Sequence, residues 1–191
     1  ITYSDYFNYI YAVLHSKEYR LQFVNNLAKQ LPRIPIVTNS SKFHDFVSAG
    51  KLLSDIHINF EYQEKFPVLI KEGDFRLVHV QDPENFFRVE KMKFGGKKDK
   101  STVIYNKNIT IQNIPLEAYD YVISGKSALE WVMTGQCVKT HKESGIVNDA
   151  NDYANETMNN PAYPLELFQR VITVSLETMK IVRGLPELDI D

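Results

Sequence analysis

The stretch KMKFGGKKDKSTVIYN, residues 91–106, holds two short extended runs around a pair of glycines. Lys91 and Lys93 alternate onto one face of the first run, as the two-residue period of a strand requires. Gly95 and Gly96 supply a permissive turn, and STVIYN (101–106) returns as a second run rich in β-branched and aromatic residues. The reading is a β-hairpin with lysines at its tip. Working outward, FRLVHV (75–80), FFRVEKMKF (86–94) and NITIQN (108–113) are similar runs separated by Gly, Lys, Asp and Asn. Together they predict a central antiparallel β-meander.

Helical sequence lies on both sides of this meander. Residues 5–31 read as two helices, with Tyr3, Phe7, Ile10 and Leu14 on one stripe and Tyr19, Phe23 and Leu27 repeating every four residues after Ser16. Tyr6, Tyr9 and Tyr11 carry aromatic surface nearly all the way round the first helix, as expected of a helix packed on two sides. LPRIP (31–35) then stops the second helix and holds Arg33 between prolines. A third helix is expected over 40–56, burying Phe43, Phe46, Val47 and Leu53. After the meander, Ser127 and Glu130 form a capping box for SALEWVM. A long final helix is expected over 163–182, with Leu167, Val171, Val174 and Ile181 as core candidates. The fold class is therefore α+β: an N-terminal helical arm, the meander with its basic hairpin, and C-terminal helices.

Composition bounds the function. A chain of 191 residues with 43% hydrophobic content can bury a substantial core, and no apolar run reaches the roughly 18 residues that cross a bilayer. The expectation is a soluble protein with no membrane partner. Cys137 is the single cysteine, which excludes an internal disulfide framework and points to a reducing, cytoplasmic setting. The chain opens on Ile1 in helix-like sequence, so it reads as a fragment of a longer polypeptide. Net charge is only −2, yet residues 88–107 hold seven Lys/Arg against Glu90 and Asp99. That local excess of +5 contrasts with the acidic segment 117–191, which holds twelve Asp/Glu against six Lys/Arg.

No catalytic motif is complete in the sequence. A phosphate-binding Walker loop starting at Gly95 would need glycine where Lys100 stands, and a helix where a strand follows. SGKSALEW places Gly125, Lys126 and Ser127 at a helix start, but capping accounts for Ser127. NNPAY (159–163) has Ala162 in place of the second proline of the adenine-holding methyltransferase motif, and no glycine-rich cofactor loop accompanies it. Cys137 and His141 lack two further zinc ligands, and NDANDY lacks the glycine and glutamate of a calcium loop. No Ser, His and Asp grouping stands out.

The basic hairpin remains, with two readings. Lysine on a strand guards an exposed sheet edge, so the hairpin can be a solvated turn. Alternatively, Lys91, Lys93, Lys97, Lys98 and Lys100 bind phosphates, while Ser101, Thr102, Tyr105 and Asn106 add hydrogen-bonding groups beside them. Arg33 and Arg88 complete the candidate nucleic-acid contacts.

YIYAVLHSKEYR (9–20), LAKQLPRIP (27–35), FRVEKMKF (87–94), KKDKSTVIYN (97–106), QNIPLEAYDYV (112–122), SGKSALEWVM (124–133), SGIVNDANDY (144–153) and VITVSLETMKIV (171–182) occur in this order. In that order they resemble the C-terminal specificity region of type ISP restriction-modification enzymes. Those are single polypeptides in which an endonuclease, a helicase-like motor and an adenine N6-methyltransferase precede a target-recognition domain. The resemblance implies a noncatalytic domain that reads double-stranded DNA for the upstream methyltransferase and helicase domains. It implies residues 1–35 as an arm adjoining the methyltransferase and 36–191 as the target-recognition domain. S-adenosylmethionine, ATP and Mg2+ are then implied for the full-length enzyme, with no cofactor in this fragment. It also implies that the shared hairpin mainly positions the DNA backbone, with base readers in segments such as 61–88 and 107–113. The alternative is an interaction domain that couples methyltransferase and helicase without reading DNA.

Overall fold

A computed structural model describes residues 1–71, 80–97 and 99–189. Within these residues the chain divides into two compact units, Ile1–Phe60 with Glu177–Asp191, and Glu61–Leu176. The expected arm, 1–35, lies in the first unit, which also takes residues 36–60 and the chain's last segment. No helix among the described residues is long and apolar enough to cross a membrane.

The first unit is built on α1 (Tyr3–His15) and α4 (Ser40–Ile58), with the short helices α2 (Lys17–Gln22) and α3 (Val24–Leu27) between them. The two long helices approach so closely that a Cβ on Gly50 would sit 1.8 Å from the Asn8 carbonyl oxygen. Only glycine fits there. Tyr9 stacks on Phe43 with ring centroids 4.8 Å apart and meets Phe46 edge-on at 5.6 Å. Its hydroxyl donates to the Pro35 carbonyl at 2.8 Å and accepts from the Val37 N–H at 3.0 Å. The Tyr19 hydroxyl donates to the Arg33 carbonyl at 2.9 Å. Two tyrosines thus hold the proline segment, because its extended backbone has no ladder partner of its own.

The buried face of α1 differs from the expected stripe. Asn8, Tyr9, Ala12 and Val13 face the core, whereas Tyr3, Phe7 and Ile10 are exposed and Leu14 is half-buried. The helix is apolar nearly all round, so periodicity allows two stripes. The small Ala12 and the gap at Gly50 select the one that permits close backbone packing. In α4, Phe43, Phe46 and Leu53 are buried as expected, and Val47 packs half-buried against them.

The second unit contains β1 (Leu69–Lys71), α5 (Pro83–Phe87), β2 (Lys93–Phe94), β3 (Val103–Ile104) and β4 (Thr110–Gln112). Its four-stranded antiparallel sheet has the order β1-β4-β3-β2, so β2, β3 and β4 form the expected meander. Phe94 pairs with Val103, Val103 with Ile111, and Ile111 with Ile70, which aligns one apolar row across the sheet. FRLVHV lies outside the described residues except for Val80. FFRVEKMKF is strand only at Lys93–Phe94, because Asp82 accepts the Asn85 N–H at 3.1 Å and Pro83 opens a helix instead.

Beyond the sheet come the β5 (Val122–Ile123) and β6 (Lys126–Ser127) ribbon, α6 (Ala128–Gly135), and a hairpin of β7 (Val138–Thr140) and β8 (Val147–Asp149). The capping box on α6 is formed as expected: Ser127 Oγ accepts the Glu130 N–H, and the Glu130 carboxylate accepts the Ser127 N–H. A short helix, α7 (Ala150–Asp152), precedes α8 (Tyr163–Arg183). Leu165, Phe168 and Ile172 of α8 pack in one core with Val103, Tyr105, Ile111 and Leu129.

Candidate nucleic-acid interface

Lys91 and Lys93 are exposed while Met92 between them is 4% exposed, so the two lysines alternate with a buried residue on the way into β2, which itself begins at Lys93. The turn beyond them is tied internally. Gly95 N–H donates to the Thr102 carbonyl at 2.8 Å, and a Cβ on Gly95 would lie 2.9 Å from Thr102 side-chain atoms. Asp99 accepts from the Ser101 hydroxyl at 2.6 Å and the Ser101 N–H at 3.0 Å, bonds that lower its pKa. Ser101 and Thr102 therefore brace the hairpin. Lys97 is exposed at the tip. Lys98 lies outside the described residues.

Lys100 departs from the expected crown of lysines. Its ammonium turns back to Glu130 at 3.4 Å and lies 5.4 Å and 5.2 Å from the ring centres of Phe94 and Tyr119. A cation over two aromatic faces beside a carboxylate ties the hairpin to the start of α6.

Tyr105 and Asn106 also face inward. Tyr105 is fully buried, its hydroxyl donates to the Phe87 carbonyl at 2.7 Å, and burial pushes its pKa up. The Asn106 amide donates to the carbonyls of Phe86 and Arg88, each at 2.9 Å. Its oxygen accepts the N–H groups of Asn108 and Ile109, each at 2.8 Å. The amide's hydrogen-bonding capacity is spent on the protein's own backbone. What these two residues do is hold the segment 86–88 against the β3–β4 turn.

Arg88 is held as well. It donates to Glu90 at 2.8 Å and to Asp149 at 2.6 Å, and the Asp149 bond leads the rise of its pKa. Asn151 completes the arrangement by bonding both the N–H and the carbonyl of Val89, at 2.9 Å and 3.0 Å.

These elements shape two open clefts that share Lys91 and Lys93. The first, about 480 Å3, is lined by Asn85, Arg88, Lys91, Lys93 and Lys107 among others. The second, about 500 Å3, has Lys91, Lys93, Lys126 and Lys139 around Met92 and Met133. Val138 N–H donates to the Glu90 carbonyl at 3.1 Å, which brings the β7–β8 hairpin and Lys139 alongside the segment leading into β2. Lys91, Lys93, Lys107 and Lys139 make no ion pair with another described residue. Glu90 and Glu130 are the acidic groups on the cleft walls. Uncompensated ammonium groups on a concave surface attract anions spaced along a polymer.

Sequence reasoning singled out Lys91, Lys93 and Lys97, and the structure exposes them together on the second unit. Arg33 is exposed on the first unit. Missed from the candidate set were Lys107, Lys126, Lys139 and Asn85. Lys107 was visible in the basic run, whereas Lys126 and Lys139 join the second cleft from the β5–β6 and β7–β8 pairings. No group of three or more His, Cys, Asp or Glu suited to a metal ion occurs among the described residues.

The chain is similar to a nuclease-deletion mutant of the Type ISP restriction-modification enzyme LlaGI, solved in complex with a DNA substrate mimic, at 42% identity and a TM-score of 0.82. It is similar to the ATP-dependent Type ISP restriction-modification enzyme LlaBIII bound to DNA, at 37% identity and a TM-score of 0.84. It is also similar to DrdV in a complex with DNA, at 30% identity and a TM-score of 0.75. These matches cover 100%, 100% and 97% of this chain, but only 17%, 12% and 18% of the respective neighbours. No curated protein matches the chain in sequence. Residues 1–167 match the model of the Type ISP C-terminal specificity domain, and the chain belongs to that family.

Proposed function

We propose that this domain recognises a double-stranded DNA target on behalf of a larger Type ISP restriction-modification polypeptide. The domain itself is noncatalytic in this reading. It presents DNA to an upstream adenine methyltransferase and helicase, and the other parts of that polypeptide take S-adenosylmethionine, ATP and Mg2+ in the cytoplasm. The observation that carries the proposal is the pair of clefts sharing Lys91 and Lys93, joined by the unpaired ammonium groups of Lys107 and Lys139. Phosphates held in the two clefts on either side of Lys91 and Lys93 would set the register of a duplex, leaving base edges to be read by groups with both donors and acceptors. The neighbours solved with DNA support the same reading.

The test is an exchange of this domain between two full-length relatives, followed by sequencing of methylated adenines. The methylated motif is expected to follow the exchanged domain. A motif that stays with the recipient would rule the proposal out.

A coupling role for the first unit is favoured by one observation. Tyr3 and Phe7 of α1, Leu21 of α2 and Val24 of α3 are exposed apolar residues, and exposed apolar groups suit contact with an adjoining domain.

A further inference from the structure

We propose that Asn85 is a base-reading residue, and that its amide recognises one A·T pair through the major-groove edge of adenine. This inference rests on the DNA-recognition reading above.

The case begins with the platform. Asn85 sits on α5, whose start is fixed by Asp82 accepting the Asn85 N–H at 3.1 Å. The three backbone carbonyls that follow Asn85 are all held from the sheet. Phe86 O accepts from Asn106 at 2.9 Å and Asn108 at 3.2 Å, Phe87 O accepts from Tyr105 at 2.7 Å, and Arg88 O accepts from Asn106 at 2.9 Å. The backbone that bears Asn85 is thereby tied to β3–β4, which is the rigid support that a recognition side chain needs.

The amides around this platform divide sharply. Those of Asn106, Asn108 and Asn151 donate to carbonyls of segment 86–89. Asn85 is exposed in the first cleft, and its side-chain amide makes no hydrogen bond to any described residue. It stands among Lys91, Lys93 and Lys107, which can take phosphates.

Chemistry then separates the roles. An ammonium ion offers charge and donors, so it holds phosphate whatever the sequence. A neutral amide adds little to that attraction. Its adjacent donor and acceptor instead match adenine's N7 acceptor and N6 donor in one bidentate pair.

The experiment uses the full-length protein, selecting from a duplex library of random sequence at one fixed salt concentration. It compares wild type with Asn85→Ala and Asn85→Asp, and also measures each protein's affinity for a single nonspecific duplex. Asn85→Ala is expected to lose about 10-fold to 100-fold in discrimination at one A·T position. Its nonspecific affinity should stay within about twofold, which also reports that it has folded. Asn85→Asp keeps the acceptor but loses the donor, so it should fail at the same position. An unchanged motif in both variants would overturn the inference and leave DNA recognition standing. Equal weakening of every sequence by Asn85→Ala would overturn it too, since it would make Asn85 a backbone contact. A wild-type protein that selects no motif would overturn the DNA-recognition reading and this inference with it.

Discussion

The Arg88 guanidinium donates to the Asp149 carboxylate at 2.6 Å, joining the segment before β2 to the end of β8 across 61 residues of sequence. Asp149 is a busy acceptor, since it also takes the Asn151 N–H at 2.8 Å and the Asn151 side-chain amide at 2.6 Å. Burial acts against its charge, but Asn151 and Arg88 outweigh it and hold the carboxyl below its ordinary pKa. A depressed carboxylate stabilises the fold above its unfolded pKa of about 4, and that contribution fades as pH falls through the lower folded value. Asp149→Ala is expected to cost about 1–3 kcal/mol at neutral pH, because Arg88 and Asn151 lose their acceptor together. Urea unfolding at pH 7 and at pH 3 checks this: the difference between variant and wild type should shrink at the lower pH.

The lysines predict a different signature. Lys91→Ala, Lys93→Ala and Lys107→Ala should each weaken binding to specific and nonspecific duplexes by a similar factor. Each should also lower the slope of log affinity against log salt by about one unit. A salt titration of the full-length protein on two unrelated duplexes measures both. Lys97→Glu combined with Lys98→Glu should likewise weaken binding without altering the preferred sequence. If affinity and salt slope are unchanged in all of these variants, the lysines are solvated edge residues.

Legibility in the sequence followed the distance over which a signal acts. The β2–β3 hairpin and the Ser127–Glu130 capping box were readable because turn glycines and capping residues act at fixed short offsets. The buried face of α1 was not, because the choice between two apolar stripes is made by Gly50, 42 positions beyond Asn8. At α5 the aromatic pair Phe86–Phe87 suggested a strand, while the local start signal Asp82-Pro83 prevailed. Tyr105 and Asn106 look like readers in a linear list of polar groups, but the register pairing Val103 with Ile111 turns Tyr105 into the core. Lys126 and Lys139 join the cleft walls through strand pairings that no local pattern encodes.

Gly50 predicts a large single-site loss of stability. A methyl group there would overlap the Asn8 carbonyl, so α1 and α4 would have to separate and uncover Tyr9 and Phe46. Gly50→Ala gains helix propensity of about 1 kcal/mol in an unobstructed helix, yet forced separation of a packed core costs about 3 kcal/mol or more. The expected net effect is destabilisation, read as a lower urea midpoint. Gly135→Ala is the matched control in α6, where an added Cβ meets nothing within 4 Å, and it should be neutral or stabilising.

The last prediction concerns acid. His57 lies between two hydroxyls: Tyr11 Oη is 2.6 Å from Nδ1 and Thr178 Oγ1 is 2.8 Å from Nε2. The His15 ring lies 5.4 Å away, with its own Nδ1 2.8 Å from the Tyr11 carbonyl. Burial, and then the neighbouring His15, pull the His57 pKa from 6.5 down to about 4. Between these values the unfolded chain binds a proton at this histidine and the folded chain does not. The contribution is therefore intact above about pH 6.5 and is lost as pH falls toward 4. His57→Gln keeps an amide between the two hydroxyls but cannot take up that proton. Its stability should be lower than wild type at pH 7.5 and should decline less steeply between pH 6.5 and 4. Parallel stability curves for the two proteins over that range would show that His57 is not the group responsible.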